Sequence, residues 1–168
     1  DRVIDIDKSF YEAYLNKGNI LQEIGEFEQS IDCYEIAVSI NPNEVKAYSN
    51  HANVLRMLGK HQEALKKINK SIEISPKDAI AYTNKGDILK EMNRYDEAIE
   101  SYDKAILLDP LFTNPKLNKG VCLTEIKKYK EALLCYENAI KNNINNERLW
   151  NNKGTVHKLL NMNEEAIE

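Results

Sequence analysis

The chain has 168 residues, 42% hydrophobic and 30% charged, with a net charge of −4; this suits a continuous core and is neither disordered nor membrane-embedded. Acidic and basic residues interleave throughout, so no basic cluster offers the footprint of a nucleic-acid binder. The longest apolar runs, such as Ala105 to Leu108, are too short to cross a bilayer, and no membrane insertion is expected.

Compared with itself at a step of 34 residues, as from Gly86 to Gly120, the chain matches along nearly its whole length. Residues 1–10 come first. Arg2 to Phe10 mirrors Lys104 to Phe112, so the chain is expected to open inside the second helix of an earlier repeat. Four full repeats follow at 11–44, 45–78, 79–112 and 113–146, and a partial one at 147–168, all in a single array. The array is expected to belong to a longer protein or a larger assembly.

Each repeat reads as two helices. In the third, Tyr82, Gly86, Leu89 and Met92 keep the spacing of one helical face, and Tyr95, Ala98, Tyr102 and Ala105 form another. Asn93 lies between them; like Gly25, Gly59 and Asn161, it suits the left-handed conformation that ends a helix. Asn41-Pro42, Ser75-Pro76 and Asp109-Pro110 each pair a cap residue with a proline suited to a first helical turn. Small residues recur at Gly18, Ala52, Gly86, Gly120 and Gly154 on first helices. They recur again at Ser30, Ala64, Ala98, Ala132 and Ala166 on second helices. These positions let backbones approach, with tyrosines such as Tyr82, Tyr95 and Tyr102 expected to fill the edges. One hairpin cannot bury both of its helices, so neighbours must stack.

The aromatic, the Gly or Ala four residues on, the later Ala, Tyr, Ala and the Pro resemble the tetratricopeptide repeat family across essentially the whole chain. The departures are local. Lys116 replaces the leading aromatic, Ile68 replaces a later one, and Ile144 stands where Pro is expected. The resemblance implies an all-α fold, an α-α superhelix formed as a right-handed solenoid of helix-turn-helix hairpins. It also implies protein or peptide partners.

A second stripe on the first helix of the third repeat, Ile80, Asn84, Asp87 and Glu91, points away from the packing face. The resemblance places this stripe on a concave groove that holds extended peptides. Asn16, Asn50, Asn84, Asn118 and Asn152 take one position of it in all five first helices. Asparagine is a mediocre helix former, so propensity does not explain the series. Its amide both donates and accepts, matching a peptide backbone. Asn19, Asn53 and Asp87 occupy the next place along the stripe and complete the candidate peptide-binding set. The ladder is similar to the asparagine array in the superhelix of O-GlcNAc transferase. The carboxylate clamp of chaperone co-factors fits less well, since Leu15, Ile80 and Asn84 stand where its basic residues belong. Groove charge is mixed, with Glu23, Glu91 and Glu125 against Lys46, Arg56, Lys90 and Lys158.

Nothing points to catalysis. His51, His61 and His157 lack metal-ligand spacing, and no phosphate loop or nucleophile motif occurs. Cys33, Cys122 and Cys135 form an odd, widely spaced set, expected to be free thiols in a reducing, cytoplasmic setting. Neither a cofactor nor a metal is expected. The reading is a scaffold or adaptor. An architectural part of a large assembly, or the substrate-recruiting arm of an enzyme such as an O-GlcNAc-type glycosyltransferase, are the alternatives.

Overall fold

The computed structural model describes residues 10–165, with side chains through 161; the expected tail of an earlier repeat at 1–9 and Ala166 lie outside the described residues. Among the described residues there are nine helices and no strand. They are α1 (Tyr11–Glu23), α2 (Phe27–Ile40), α3 (Val45–Met57), α4 (His61–Ile74), α5 (Ala79–Glu91), α6 (Tyr95–Leu108), α7 (Thr113–Glu125), α8 (Tyr129–Asn142) and α9 (Glu147–Glu165). The chain divides into two compact units, one running to Asn84 and one starting at Lys85, so the boundary falls inside α5. In the first unit α1 packs on α2, α2 on α3 and α3 on α4, while α1 also touches α3. The second unit repeats the scheme with α6, α7, α8 and α9, and α7 touches α9.

First arms end in one turn chemistry. Gly25, Gly59, Asn93 and Lys127 all have φ between 57° and 86°. The next residue's N–H then reaches back to a leucine carbonyl: Glu26 to Leu21, Lys60 to Leu55, Arg94 to Leu89 and Lys128 to Leu123, at 2.8–2.9 Å. These bonds satisfy carbonyls that a helix end leaves without partners. Lys127 is the unexpected member, because a lysine Cβ is disfavoured in this conformation. Asn161, expected to end a helix in the same way, instead lies inside the continuous α9. Asparagine also carries a Cβ, and Met162, Glu164 and Glu165 are good helix formers, so local preference favours the uninterrupted helix there.

The proline pairs act differently from the cap role expected of them. Asn41, Ser75 and Asp109 close the preceding second arms rather than opening the next helices. A residue before proline is pushed out of the helical region, and proline then suits the second position of a tight turn. Glu44 N–H bonds to Asn41 O, Asp78 to Ser75 and Phe112 to Asp109, at 3.1–3.3 Å. The turn survives the loss of proline at Ile144, where Asn146 N–H bonds to Asn143 O at 3.3 Å. Helix-opening caps lie further on. Asp78 accepts from the N–H groups of Ile80 and Ala81, and Glu44 from that of Lys46.

The tyrosines Tyr34, Tyr102 and Tyr136 are the largest fully buried side chains, not edge fillers as the sequence suggested for Tyr102. Each ring sits against a first-arm glycine: Tyr34 against Gly18, Tyr102 against Gly86 and Tyr136 against Gly120. A Cβ on Gly18 would lie 2.6 Å from the Tyr34 ring, and one on Gly120 would lie 2.5 Å from Tyr136. The glycine is therefore the gap and the tyrosine the knob. Burying such a ring contributes roughly 2 kcal/mol. In the first unit Leu15, Ala37, Ala47 and Val54 close around Tyr34. In the second, Leu117, Ala139, Leu149 and Val156 share the Tyr136 core.

Candidate functional site

The stripe opposite the packing face is open to solvent along α5: Ile80 and Glu91 are exposed and Asn84 and Asp87 half-buried, while Gly86 and Leu89 are buried. The same division holds on α3 and α7, where Ala52, Leu55, Gly120 and Leu123 are buried. Asn16 is exposed, and Asn19, Asn50, Asn53, Asn118 and Asn152 are half-buried.

In the first unit the amide of Asn50 donates to Asn19 Oδ1 at 2.8 Å, one repeat earlier. The Tyr34 hydroxyl donates to the same oxygen at 2.9 Å and lies 3.0 Å from Gln22 Oε1. A half-buried triad thus ties one repeat to the next. The second unit rebuilds it with a carboxylate: Asn118 Nδ2 and the Tyr102 hydroxyl both donate to Asp87 Oδ1, at 2.8 and 2.7 Å. Lys90 flanks that oxygen at 3.5 Å. A neutral bond of this kind contributes about 1 kcal/mol and one to a carboxylate roughly 1.5–3 kcal/mol. Burial, then the Asp87 charge and hydrogen bond, push the Tyr102 phenol far above its ordinary range. Burial raises Tyr34 as well. Asn53 has a third arrangement, accepting from Arg56 Nη2 at 3.0 Å, and Ile68 stands where the tyrosine would be.

Sequence reasoning found the amides but missed their first partners. Tyr34, Tyr102 and Gln22 belong to the site because their polar ends meet the stripe residues Asn19 and Asp87 or lie beside them. An asparagine amide has two N–H groups and a carbonyl oxygen. The bond to the preceding repeat engages one of these at Asn50 and at Asn118 and fixes the direction of the rest.

Other reactive groups are quiet. Burial raises the thiols of Cys33 and Cys135, and pushes Cys122 up to about 11, which leaves little thiolate for chemistry. Among the described residues no group of three or more His, Cys, Asp or Glu is placed to hold a metal ion. No described helix is long and apolar enough to cross a membrane.

Stacked helical hairpins with small-residue gaps and an open polar stripe define a helical-repeat protein of the solenoid class. Models of the tetratricopeptide repeat match residues 11–44, 43–109 and 83–147. The chain belongs to the tetratricopeptide repeat family. Its members are typically non-catalytic scaffolds with protein or peptide partners. A search of curated proteins finds no match. Among solved structures, the chain is similar to PilF of Pseudomonas aeruginosa, at TM-score 0.82 and 23% identity over 96% of this chain and 72% of that one. It is similar to MamA at TM-score 0.81 and 19% identity, covering 94% and 86% of the two chains. YrrB, described as a tetratricopeptide protein with an unusual peptide-binding site, gives TM-score 0.77 and 19% identity over 95% and 82%. At these identities the likeness is one of fold.

Proposed function

We propose that this chain is a protein-interaction scaffold that holds an extended segment of a partner against its first-arm asparagines. Asn16, Asn50 and Asn84 serve in the first unit, and Asn118 and Asn152 in the second. Asn19 braces Asn50 and Asp87 braces Asn118, and Asn53 completes the set. The observation that supports this reading is the aim of the amides. Asn50 and Asn118 are each held by a residue of the preceding repeat while remaining partly open to solvent. Each has another N–H and a carbonyl oxygen for a peptide backbone, which offers the complementary pair at every residue. A fixed amide loses less side-chain freedom on binding than a mobile one. The description of YrrB as peptide-binding is consistent with this use of the fold. The role is binding rather than catalysis, without cofactor or metal, in an intracellular setting.

The test is a screen of immobilised extended peptides, followed by N-methylation of the backbone of any peptide captured. Removing backbone N–H groups should weaken capture by roughly tenfold for each contact that contributes 1.4 kcal/mol. Asn16→Ala should weaken it too, without loss of helix content. Capture that ignores both changes would move the contact to another face.

A further inference from the structure

The brace position runs Asn19, Asn53, Asp87, Val121 and Thr155 along the chain. At two junctions it supplies the oxygen shared by a tyrosine hydroxyl and the next asparagine amide. At Val121 that oxygen is missing. The tyrosine and the asparagine are still present as Tyr136 and Asn152, and both line a cavity of about 180 Å³ together with Val121, Val156 and Glu125. The remaining lining groups replace the oxygen for the phenol alone, because the Thr124 hydroxyl oxygen keeps lone pairs that can accept from Tyr136, and the Asn152 amide is left short of an acceptor. The Thr124 hydroxyl donates to Gly120 O at 2.8 Å and the Thr155 hydroxyl to Asn151 O at 3.0 Å, each within its own helix. The Asn152 amide and Thr124 lie within reach of the Tyr136 phenol, but an amide has two N–H groups and the phenol can take only one of them.

We propose that this cavity is a specificity pocket for a carboxamide side chain, glutamine or asparagine, of the bound peptide. The proposal rests on the groove reading above and adds the partner chemistry. A carboxamide oxygen replaces the one that Val121 lacks, accepting from the Asn152 amide. The carboxamide N–H groups donate to the exposed Glu125 carboxylate at the rim. Methylene groups lie against Val121, Val156 and the Tyr136 ring. Other side chains match in part only. A carboxylate meets Glu125 with like charge and no basic lining residue. Lysine and arginine bring no acceptor, and leucine brings no polar atom at all. Each mismatch leaves a partly desolvated group without a partner.

The probe is a set of short alternating Ala/Ser peptides with one central guest residue, Gln, Glu, Lys or Leu. Affinities are read by NMR titration of the Asn152 side-chain amide and the Val121 and Val156 methyl groups. The Gln peptide is expected to bind about tenfold more tightly than the other three, the effect of one mismatched polar group. Val121→Asn, which restores the internal oxygen on the pattern of Asn19, should abolish that preference while leaving the helices intact. Equal affinity for all guests, or an unchanged preference in Val121→Asn, overturns the pocket and leaves the groove standing. No binding by any guest, with no shift at any first-arm asparagine amide, overturns both.

Discussion

Gly120→Ala and Gly154→Ala make a matched pair, because the same substitution at the same repeat position meets opposite surroundings. At Gly120 the new Cβ would lie 2.5 Å from Tyr136 Cε1 and 2.7 Å from its Cζ. The ring is 1% exposed and packed with Leu117, Ala132 and Ala139, so it can shift only by giving up those contacts. Overpacking of this kind costs about 1–3 kcal/mol. The gain in helix propensity returns about 1 kcal/mol, which leaves a net loss of up to roughly 2 kcal/mol. At Gly154 no described residue lies within 4 Å of the new Cβ, and the same change should stabilise by about 1 kcal/mol. Urea unfolding followed by circular dichroism reads both, with the linear-extrapolation slope checked for constancy. The second repeat already contains the compensated form, Ala52 with Ile68 in place of glycine with tyrosine. Gly120→Ala combined with Tyr136→Ile should therefore cost less than the sum of the single changes. If Gly120→Ala stabilises as much as Gly154→Ala, the knob-and-gap account of the hairpin is wrong.

Three further outcomes are expected. Lys127→Gly should stabilise by about 1 kcal/mol, since it relieves a Cβ at φ 61°; thermal melting would show the gain, and a lower melting point would refute the strain. His51 is 1% exposed, its Nδ1 has no hydrogen-bond partner among the described residues, and burial, with Lys67 nearby, lowers its pKa to about 4. Because the folded pKa lies below the unfolded 6.5, the unfolded chain binds the proton first; stability is full above pH 6.5 and falls by at most about 3 kcal/mol towards pH 4. Denaturant titrations of His51→Gln against the parent should show that part of the acid loss removed. Finally, Asn50→Ala should cost about 1 kcal/mol of stability through the lost bond to Asn19, whereas the exposed Asn16→Ala should cost close to nothing; equal losses in thermal melts would remove the brace.

The hairpins were legible because each rests on short-range spacing. Tyr82, Gly86 and Leu89 share one face, and Gly25 and Gly59 mark the turns without ambiguity. Lys127 carried no such mark, since a lysine αL cap is set by the bond from Lys128 N–H to Leu123 O, not by its own preference. The proline pairs mark the right loop but not the right role, because Asn, Ser and Asp suit both a helix cap and the first place of a turn. The spacing puts Tyr102 at an edge because it does not show that a ring fills the gap left by a glycine 16 positions earlier, at Gly86. The asparagine series was visible, but its use between repeats depends on partners 31 positions apart. The signal was available in the neighbouring column, where Asn19, Asn53 and Asp87 are followed by Val121.

The most direct test of the binding account is an isotope-edited NMR titration with a peptide captured by the screen, reading every asparagine side-chain amide. The account predicts shifts at Asn16, Asn50, Asn84, Asn118 and Asn152, with Asn69 and Asn138 on the second arms unmoved. Shifts confined to the second arms, with the first-arm amides silent, would contradict it.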